Sequence, residues 1–370
     1  MKRNEFILHE MNHVKSISIT QFRNYLFQQF QFTERIIAIS GLNGTGKTNL
    51  LDAIYYLCFT KSYFSKPDIQ SVFQNLQGFR IDGTIESKNE KEKIVCILRE
   101  NNKKEFYLND IQYKRFSKHI GKFTCVFIAP DDVQLITEGS ETRRNFVDAI
   151  ISQFDPSYLQ YLIDYKKILE ERNSLLKAAF EKDYLDQTLL NILDEQLIKN
   201  GNKIFDTRKL FLTSYIPEVL KSYTEIAGKD ENIQLSYYSQ LTNAPFEELL
   251  QQNLQKDLYI QRTSSGIHKD DLEITMIQSA FKNHASQGQK KSLLFALKLA
   301  EFTILNEKKG YAPILLLDDI FEKLDDHRMN NLLHKVCIEQ DGQVFITDTH
   351  KERLKQSLDS LHVSYQLIEL

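Results

Sequence analysis

The alternation of apolar and polar residues predicts two kinds of structure in this chain. Short apolar or alternating runs, the pattern of strands, cover residues 14–20, 26–32, 79–86, 93–99, 104–108 and 124–129. An Asn109-Asp110 pair, which suits a tight turn, follows the fifth run. The first third of the chain is therefore predicted to form a β-rich lobe.

Helical spacing dominates from residue 140 to about residue 262. Apolar residues recur there every three or four positions, which places them on one face of a helix. One stripe consists of Tyr158, Tyr161, Tyr165, Ile168, Leu175 and Ala179, and a second of Leu189, Ile192, Leu193, Gln196 and Leu197. We interpret both stripes as packing seams of a helical lobe. Beyond residue 266 the pattern returns to strands around a helix over residues 293–305.

Length and composition exclude several classes of protein. The 370 residues are 42% hydrophobic and 26% charged, which suits a soluble chain of more than one lobe. Its longest apolar runs, such as Ile314–Leu317, are far shorter than the roughly 20 residues of a membrane-spanning helix. Residues 1–10 lack the apolar stretch of a secretory signal. We expect a cytoplasmic protein with no membrane partner.

The cysteines and the net charge say little about function. The four cysteines are widely spaced and form no CxxC pair, so neither a disulfide framework nor a zinc ribbon is predicted. The net charge of −3 gives no sign of nucleic-acid binding, which would have to use a local basic patch. Four basic pairs are candidates for phosphate contacts: Arg143-Arg144, Lys166-Lys167, Arg208-Lys209 and Lys290-Lys291.

A phosphate-binding loop follows the apolar run at residues 35–40. Its sequence is Gly41, Leu42, Asn43, Gly44, Thr45, Gly46, Lys47 and Thr48, and a helix is predicted from Asn49. We expect these nine residues to bind the nucleotide. Glycines allow the backbone amides to approach phosphates, and the helix N-terminus favours negative charge. We expect Lys47 to contact the β- and γ-phosphates and Thr48 to bind Mg²⁺. The loop predicts a nucleoside triphosphate but no particular reaction.

A second part of the site is predicted at residues 312–319, an apolar strand that ends in two carboxylates. Asp318 has the position of the Walker B aspartate that binds Mg²⁺. Asp319 has the position of the carboxylate that polarises the attacking water. Lys47 and Asp318 are 271 positions apart. This separation excludes a small GTPase or nucleotide kinase, in which one compact domain holds both.

A signature-like segment, Ser286-Gln287-Gly288-Gln289, lies 32 residues before Asp318 and precedes a helix. It resembles the ABC-type signature, in which a serine and a glycine amide at a helix N-terminus meet the γ-phosphate. In that architecture the segment completes the site of a second molecule. We therefore predict a head-to-head dimer with two ATP molecules between its subunits, with residues 321–325 as the D-loop.

Several further segments resemble the RecF family of the SMC-like ABC ATPase group. They are residues 19–25 (ITQFRNY), 49–56 (NLLDAIYY), 127–132 (FIAPDD), 138–148 (EGSETRRNFVD) and 266–272 (GIHKDDL). In the last of these, Ile267 and Lys269 replace the proline and arginine of the family pattern. The resemblance extends from about Val14 to Leu370.

The resemblance implies a fold and an activity. The fold is an α/β ABC-type ATPase head assembled from residues 1–130 and 266–370, with an inserted α-helical lobe at residues 131–265. Arg23 and Asn24 would lie beside the nucleotide. The activity would be weak, DNA-stimulated ATP hydrolysis with Mg²⁺, coupled to ATP-dependent homodimerisation. The DNA partners would be single-strand gaps and junctions, and the protein partners RecO and RecR, which load RecA.

Some assignments remain open from the sequence. Asp131 or Asp132 is either a water-mediated magnesium ligand or part of a turn, and His350 is either a γ-phosphate contact or a surface residue. The natural start is either Met1 or Met11. A transporter ATPase subunit and a nucleotide-switch scaffold that does not hydrolyse ATP are the alternative functions, because both share the P-loop. About 120 inserted residues are too few for the coiled-coil arm of an SMC protein.

Overall fold

The structure is a computed structural model that describes residues 10–64, 67–87, 90–277, 279–321 and 326–370. In chain order the strands are β1 (Glu10–Met11), β2 (His13–Phe22), β3 (Tyr25–Gln31), β4 (Ile36–Ser40), β5 (Phe79–Ser87), β6 (Glu90–Leu98), β7 (Lys104–Leu108), β8 (Ile111–Gln112), β9 (Cys125–Ile128), β10 (Ile233–Tyr238), β11 (Asp271–Met276), β12 (Ser279–Ala280), β13 (Tyr311–Ala312), β14 (Ile314–Leu317), β15 (Val344–Asp348) and β16 (Tyr365–Glu369). The α-helices are α1 (Lys47–Phe59), α2 (Gln134–Thr137), α3 (Ser140–Phe154), α4 (Pro156–Lys182), α5 (Gln187–Ala227), α6 (Phe246–Ile260), α7 (Phe281–His284), α8 (Gln287–Lys309), α9 (Asp326–His334) and α10 (Lys351–Ser360).

The chain forms two compact units. The first contains the described residues up to Asp132, then Lys221–Lys229 and the described residues from Gln287 to Leu370; the second contains Val133–Leu220 and the described part of Asp230–Ser286. This division differs from the boundaries expected from the sequence in three places, the first being that residues 131–132 belong to the first unit. Residues 266–286 join the second unit because β11 pairs with β10 there. Residues 221–229 join the first unit, where Glu225 forms an ion pair with Lys335.

A parallel five-stranded sheet is the centre of the first unit. Its strand order is β16-β4-β15-β14-β9. The residues of β4, β9, β14 and β15 are buried, which explains why these strands are continuous apolar runs instead of alternating ones. Because β4 and β14 each pair with β15, the carboxyl ends of the P-loop strand and the Walker B strand lie at one edge of the sheet.

The β-rich lobe expected from the sequence is an antiparallel sheet in the order β3-β2-β5-β6-β7-β8. Its buried side packs on α1 in one hydrophobic core that includes Ile17, Ile81 and Leu57. Asn109 and Asp110 have φ values of 48° and 64°, so the predicted turn between β7 and β8 uses the left-handed conformations that asparagine and aspartate tolerate. This confirms the turn and five of the six strands predicted for the lobe, whereas the sixth run, residues 124–129, forms β9 of the parallel sheet.

The second unit is mainly helical, and its first seam is close to the predicted one. On α4, Tyr158, Tyr165, Ile168, Leu176 and Ala179 are buried, with Leu176 taking the place expected for Leu175. Arg172 is also fully buried and binds Asp194 and Asp257 at 2.5 and 2.9 Å. The helix period of 3.6 residues moves the seam by one position over this length, which explains the shift.

The second predicted seam was only partly correct. Leu193 and Leu197 of α5 are buried, but Leu189 and Ile192 are 41% and 48% exposed, and Gln196 is exposed as well. The buried face instead includes Leu190 and Ile204. Gly201 lies on this face, where an added Cβ would come within 2.6 Å of the Phe246 ring, so α5 approaches α6 closely.

Two further findings concern membrane-spanning helices and the cysteines. Among the helices of the described residues, none has the length and apolar character needed to span a bilayer. The four cysteines, Cys58, Cys96, Cys125 and Cys337, are buried and form no disulfide bonds.

Candidate nucleotide-binding site

The predicted phosphate-binding loop connects β4 directly to α1. Gly44 and Gly46 have φ values of +85° and +119°, which residues with a side chain rarely adopt. A Cβ on Gly46 would come within 2.7 Å of the Tyr25 hydroxyl. The strand-loop-helix context that the sequence predicted is confirmed, and its glycines are required by both torsion and space.

Lys47 is the first residue of α1, and its side chain folds back over the loop. The ammonium donates hydrogen bonds to the carbonyl oxygens of Gly41 at 2.8 Å and Leu42 at 3.2 Å. Only 4% of the residue is exposed. The loop therefore surrounds a fixed cation, the arrangement needed to bind the terminal phosphates of a nucleotide.

Thr48 contacts Asp318, although the two residues are 270 positions apart. The Thr48 hydroxyl donates to the two carboxylate oxygens of Asp318 at 2.8 and 3.0 Å. A hydroxyl and a carboxylate beside a phosphate-binding loop are hard oxygen ligands of the kind that Mg²⁺ takes. The structure thus brings together the two residues that the sequence predicted as magnesium ligands.

Thr347 is a site residue that the sequence analysis missed. Its hydroxyl donates to Asp318 Oδ1 at 2.8 Å and accepts a hydrogen bond from the Asp319 backbone amide at 2.8 Å. The residue is fully buried at the end of β15, next to β14. The sequence feature that could have indicated this residue is a polar side chain near the end of an apolar strand. Thr347 therefore holds both Walker B carboxylate residues in place.

The two Walker B carboxylates differ in their surroundings. Burial raises the pKa of Asp318 to about 6, although hydrogen bonds from Thr48 and Thr347 act in the opposite direction. Asp319 has a φ of +43°, in the left-handed region that costs an aspartate conformational energy. Backbone strain of this kind is concentrated at functional sites.

The segment expected beside the nucleotide supports the loop from outside. Asn24 donates to the carbonyl oxygens of Thr45 and Gly44 at 3.0 and 3.3 Å, and it accepts a hydrogen bond from Asn49 at 2.8 Å. Asn24 and Asn49 are therefore next to the loop, as predicted. Their contact with a nucleotide remains a prediction.

Arg23 is directed toward α1. Its guanidinium donates to Asp52 Oδ2 at 2.6 and 3.0 Å and to the Ser62 hydroxyl at 3.0 Å. The Asp52 side chain is fully buried, so this ion pair anchors the segment before β3 to the P-loop helix. The predicted contact of Arg23 with a nucleotide would require the guanidinium to leave Asp52 or to serve both groups.

The signature-like segment lies at the start of α8. This helix begins at Gln287, six residues before the predicted start, so Ser286 immediately precedes it and Gly288 is in its first turn. Ser286 is exposed. The structure thus places the serine and the glycine at the N-terminus of a 23-residue helix, and their binding of an anion remains a prediction. The contact with a second subunit remains a prediction.

Three assignments left open by the sequence have distinct surroundings. Asp132 accepts hydrogen bonds from the Tyr63 hydroxyl and from the Ala129 amide, whereas Asp131 is exposed. His350 is exposed at the N-cap position of α10. Of the predicted D-loop, residues 322–325 lie outside the described residues.

The three arginines among the candidate DNA contacts have internal partners. Arg143 forms a two-bond ion pair with Asp271 at 2.7 and 2.8 Å, and Arg144 donates to the Asp270 carbonyl at 2.6 Å. Arg208 is buried and binds Asp148 and Asp270. Carboxylates thus hold Arg143 and Arg208, and a backbone carbonyl holds Arg144, whereas Lys166, Lys167 and Lys209 are exposed.

Comparison with known proteins finds relatives that share one name. The chain is 43% identical to the DNA replication and repair protein RecF of Flavobacterium johnsoniae, over 97% of this chain and 100% of the relative. It is 38% identical to the protein of the same name from Parabacteroides distasonis, over 96% and 97% of the two chains. These relatives favour the repair function over the transporter alternative.

Solved structures agree with the fold. A structure of the recombination mediator protein RecF with ATP, described as part of the RecFOR pathway, matches with a TM-score of 0.87 and 31% identity, covering 94% of this chain and 95% of the other. An Smc head domain from Pyrococcus furiosus matches with a TM-score of 0.54 at 16% identity over 94% and 92% of the two chains, which shows a shared fold alone. The family model described as RecF/RecN/SMC N terminal domain matches residues 13–367. The protein therefore belongs to this family of SMC-like ABC ATPases.

Proposed function

We propose that the protein is an ATP-dependent DNA-binding factor of replication and repair that hydrolyses ATP weakly between two subunits. The contact between Thr48 and Asp318, 270 residues apart in the chain, carries the proposal because it joins the P-loop to the Walker B strand. The names of the curated relatives, DNA replication and repair protein RecF, support the biological role.

The P-loop residues would bind ATP together with Mg²⁺. Thr48 and Asp318 would hold the ion, which would neutralise charge on the phosphates. Lys47 would release its bonds to Gly41 and Leu42 and place its ammonium on the β- and γ-phosphates. The amides of residues 42–48 and the N-terminus of α1 would surround the remaining phosphate oxygens.

Asp319 is the proposed general base of hydrolysis. Its carboxylate would orient the attacking water and receive a proton from it. The hydrogen bond from the Asp319 amide to Thr347 fixes the backbone from which this carboxylate extends.

The second subunit would complete each ATP site. Ser286 and Gly288 would meet the γ-phosphate held by the partner, so ATP would promote a homodimer. The dimer would bind single-strand gaps and junctions through the DNA backbone, act with RecO and RecR in loading RecA, and be cytoplasmic. The remaining candidates for phosphate contacts are Lys166, Lys167, Lys209, Lys290 and Lys291.

Turnover and sedimentation test this function. The purified protein should hydrolyse ATP with Mg²⁺, faster with gapped DNA, and should sediment as a dimer only when ATP is present. Lys47→Ala should abolish tight ATP binding because it removes the cation of the loop. Asp319→Asn should bind ATP but hydrolyse it far more slowly. Lys308→Ala, at an exposed lysine on α8, is the matched control.

Two outcomes would contradict the proposal. Unchanged ATP affinity in Lys47→Ala would exclude the P-loop as the binding site. ATP binding without turnover by the parent protein would favour the nucleotide-switch scaffold.

A further inference from the structure

A small pocket lies beside the two Walker B carboxylates. Its walls are Ile128, Ala129 and Pro130 at the end of β9, Lys291, Leu294 and Phe295 on α8, and Asp318, Asp319 and Ile320 after β14. Its volume is about 30 Å³, which accommodates a water molecule but no nucleotide. It is therefore the place where a water next to Asp319 can be held.

One face of α8 both lines this pocket and carries a buried cation. This face consists of Lys291, Leu294, Phe295 and Lys298. Residues three or four positions apart are neighbours on the surface of a helix, so these four lie on one side of α8. Lys298 is only 4% exposed, which is rare for a lysine. An ammonium in such a position is stable only when opposite charges and hydrogen bonds compensate for the lost water.

Lys298 has these partners on other elements. Its ammonium donates to the Tyr63 hydroxyl at 3.1 Å and lies 3.8 Å from Asp132 Oδ2. Glu301, one turn along α8, is also 3.8 Å away. Lys298 therefore connects α8 to the loop after α1 and to the turn after β9.

Asp132 fixes the turn that forms the opposite wall of the pocket. Its carboxylate accepts from the Ala129 amide at 2.8 Å, and its own amide donates to the Ala129 carbonyl at 3.1 Å. The Tyr63 hydroxyl also donates to this carboxylate, while the Tyr63 ring stacks on Phe127 of β9 at a centroid distance of 4.3 Å. Burial, and then the charge of Asp132, raise the pKa of the Tyr63 hydroxyl well above its usual range, so it remains a donor.

We infer that Lys298 is a positioning residue for ATP hydrolysis, acting with Tyr63 and Asp132. The shared ammonium holds the pocket face of α8 at a fixed distance from the turn at Pro130. That distance sets the room for the water that Asp319 would activate. Asp132 is thereby a part of this support and not a magnesium ligand. The inference rests on the proposed ATPase function, and it adds the residues that hold the water site.

The test compares ATP binding with single-turnover hydrolysis in two variants. Lys298→Met keeps the length of the side chain and removes the charge. Tyr63→Phe keeps the ring stacked on Phe127 and removes the hydroxyl. In both, the ATP dissociation constant should remain within about twofold of the parent value, whereas single-turnover hydrolysis should slow roughly tenfold to a hundredfold, because small displacements of reacting groups carry large rate costs.

Two further variants separate positioning from stability. Lys298→Arg retains a cation and should recover a large part of the rate. Tyr113→Phe removes a tyrosine hydroxyl that contacts His119 in the same unit, away from the pocket, and should hydrolyse ATP like the parent. If Lys298→Met does not fold, Tyr63→Phe alone decides the test, because it leaves the buried charges paired.

The possible outcomes lead to different conclusions. A lower melting temperature with an unchanged single-turnover rate in Lys298→Met and Tyr63→Phe would make the cluster merely structural and overturn the inference. A loss of ATP binding equal to the loss of rate would overturn it as well. If the parent binds ATP but never hydrolyses it, the proposed function fails, and the inference fails with it.

Discussion

At the scale of single residues, two threonine hydroxyls order the site as much as its charged groups do. Thr48 and Thr347 both donate to Asp318, from α1 and from β15. Thr347 also accepts a hydrogen bond from the Asp319 amide, so one hydroxyl sets the position of both carboxylate residues. Groups that orient metal ligands commonly affect metal affinity by about ten- to a hundredfold.

We expect Thr347→Val to weaken the magnesium-dependent binding of ATP by about tenfold. Valine has nearly the same shape, but it leaves the Asp319 amide without its acceptor and removes a donor that stabilises the charged form of Asp318. The pKa of Asp318, already raised to about 6 by burial, should rise further. A magnesium titration of ATP binding at neutral pH measures the effect.

The control for this prediction is Thr347→Ser, which retains the hydroxyl and should bind like the parent. Equal magnesium dependence in the valine variant and the parent would show that Asp318 needs no support from β15.

At the scale of elements, the helical unit depends on which face of α5 is buried. Two adjacent leucines show this most clearly, since Leu190 is 1% exposed and Leu189 is 41% exposed. The sequence pattern alone predicted Leu189 in the seam. A repeat of three and four positions fits more than one choice of first residue, so the pattern does not decide between Leu189 and Leu190. The observed seam is fixed by α4 and α6, which pack against each other. Arg172 of α4 binds Asp194 of α5, and Gly201 of α5 lies against α6.

Leu190→Ala should lower the free energy of unfolding of the helical unit by about 2–5 kcal/mol, because it leaves a cavity in the seam. Leu189→Ala, at the neighbouring position of the same helix, should change it by less than about 0.5 kcal/mol. Chemical denaturation followed by circular dichroism measures both. Equal losses in the two variants would contradict the observed face of α5.

At the scale of the whole molecule, ATP hydrolysis is proposed to depend on a second subunit. Ser286 is exposed at the start of α8, where a helix N-terminus can receive a phosphate from another molecule. Asp319 and Lys298 would act within one chain, whereas Ser286 would act on the ATP of the partner. The fraction of dimer and the rate of ATP hydrolysis are therefore expected to increase together as the ATP concentration rises.

We expect Ser286→Arg to retain the ATP affinity of the monomer and to lose ATP-dependent dimerisation, because the larger side chain blocks the approach of the γ-phosphate. Analytical ultracentrifugation with ATP and Mg²⁺ measures assembly, and an equilibrium titration measures affinity. Ser286→Ala is the milder control; if the serine merely caps α8, this variant should lose only about 1 kcal/mol of stability. A normal ATP-dependent dimer of Ser286→Arg would rule out the signature role.

The sequence by itself determined the parts of the site that are local in the chain. A phosphate-binding loop consists of eight consecutive residues whose glycine torsions, lysine and threonine are all specified within one strand-loop-helix segment. The Walker B carboxylates and the strands around them follow for the same reason, since a buried parallel strand is a continuous apolar run. The fold places the phosphate-binding loop and the Walker B strand at one edge of the parallel sheet.

The tertiary structure alone decided which partners the other polar residues have. Thr347 meets Asp318 because β15 pairs with β14, and Lys298 meets Asp132 and Tyr63 because three elements converge beside β9. It also turned Arg143 and Arg208 from candidate DNA contacts into internal ion pairs. A hydrogen bond or ion pair depends on distances of about 3 Å between atoms far apart in the chain, and no local pattern of residues contains that information.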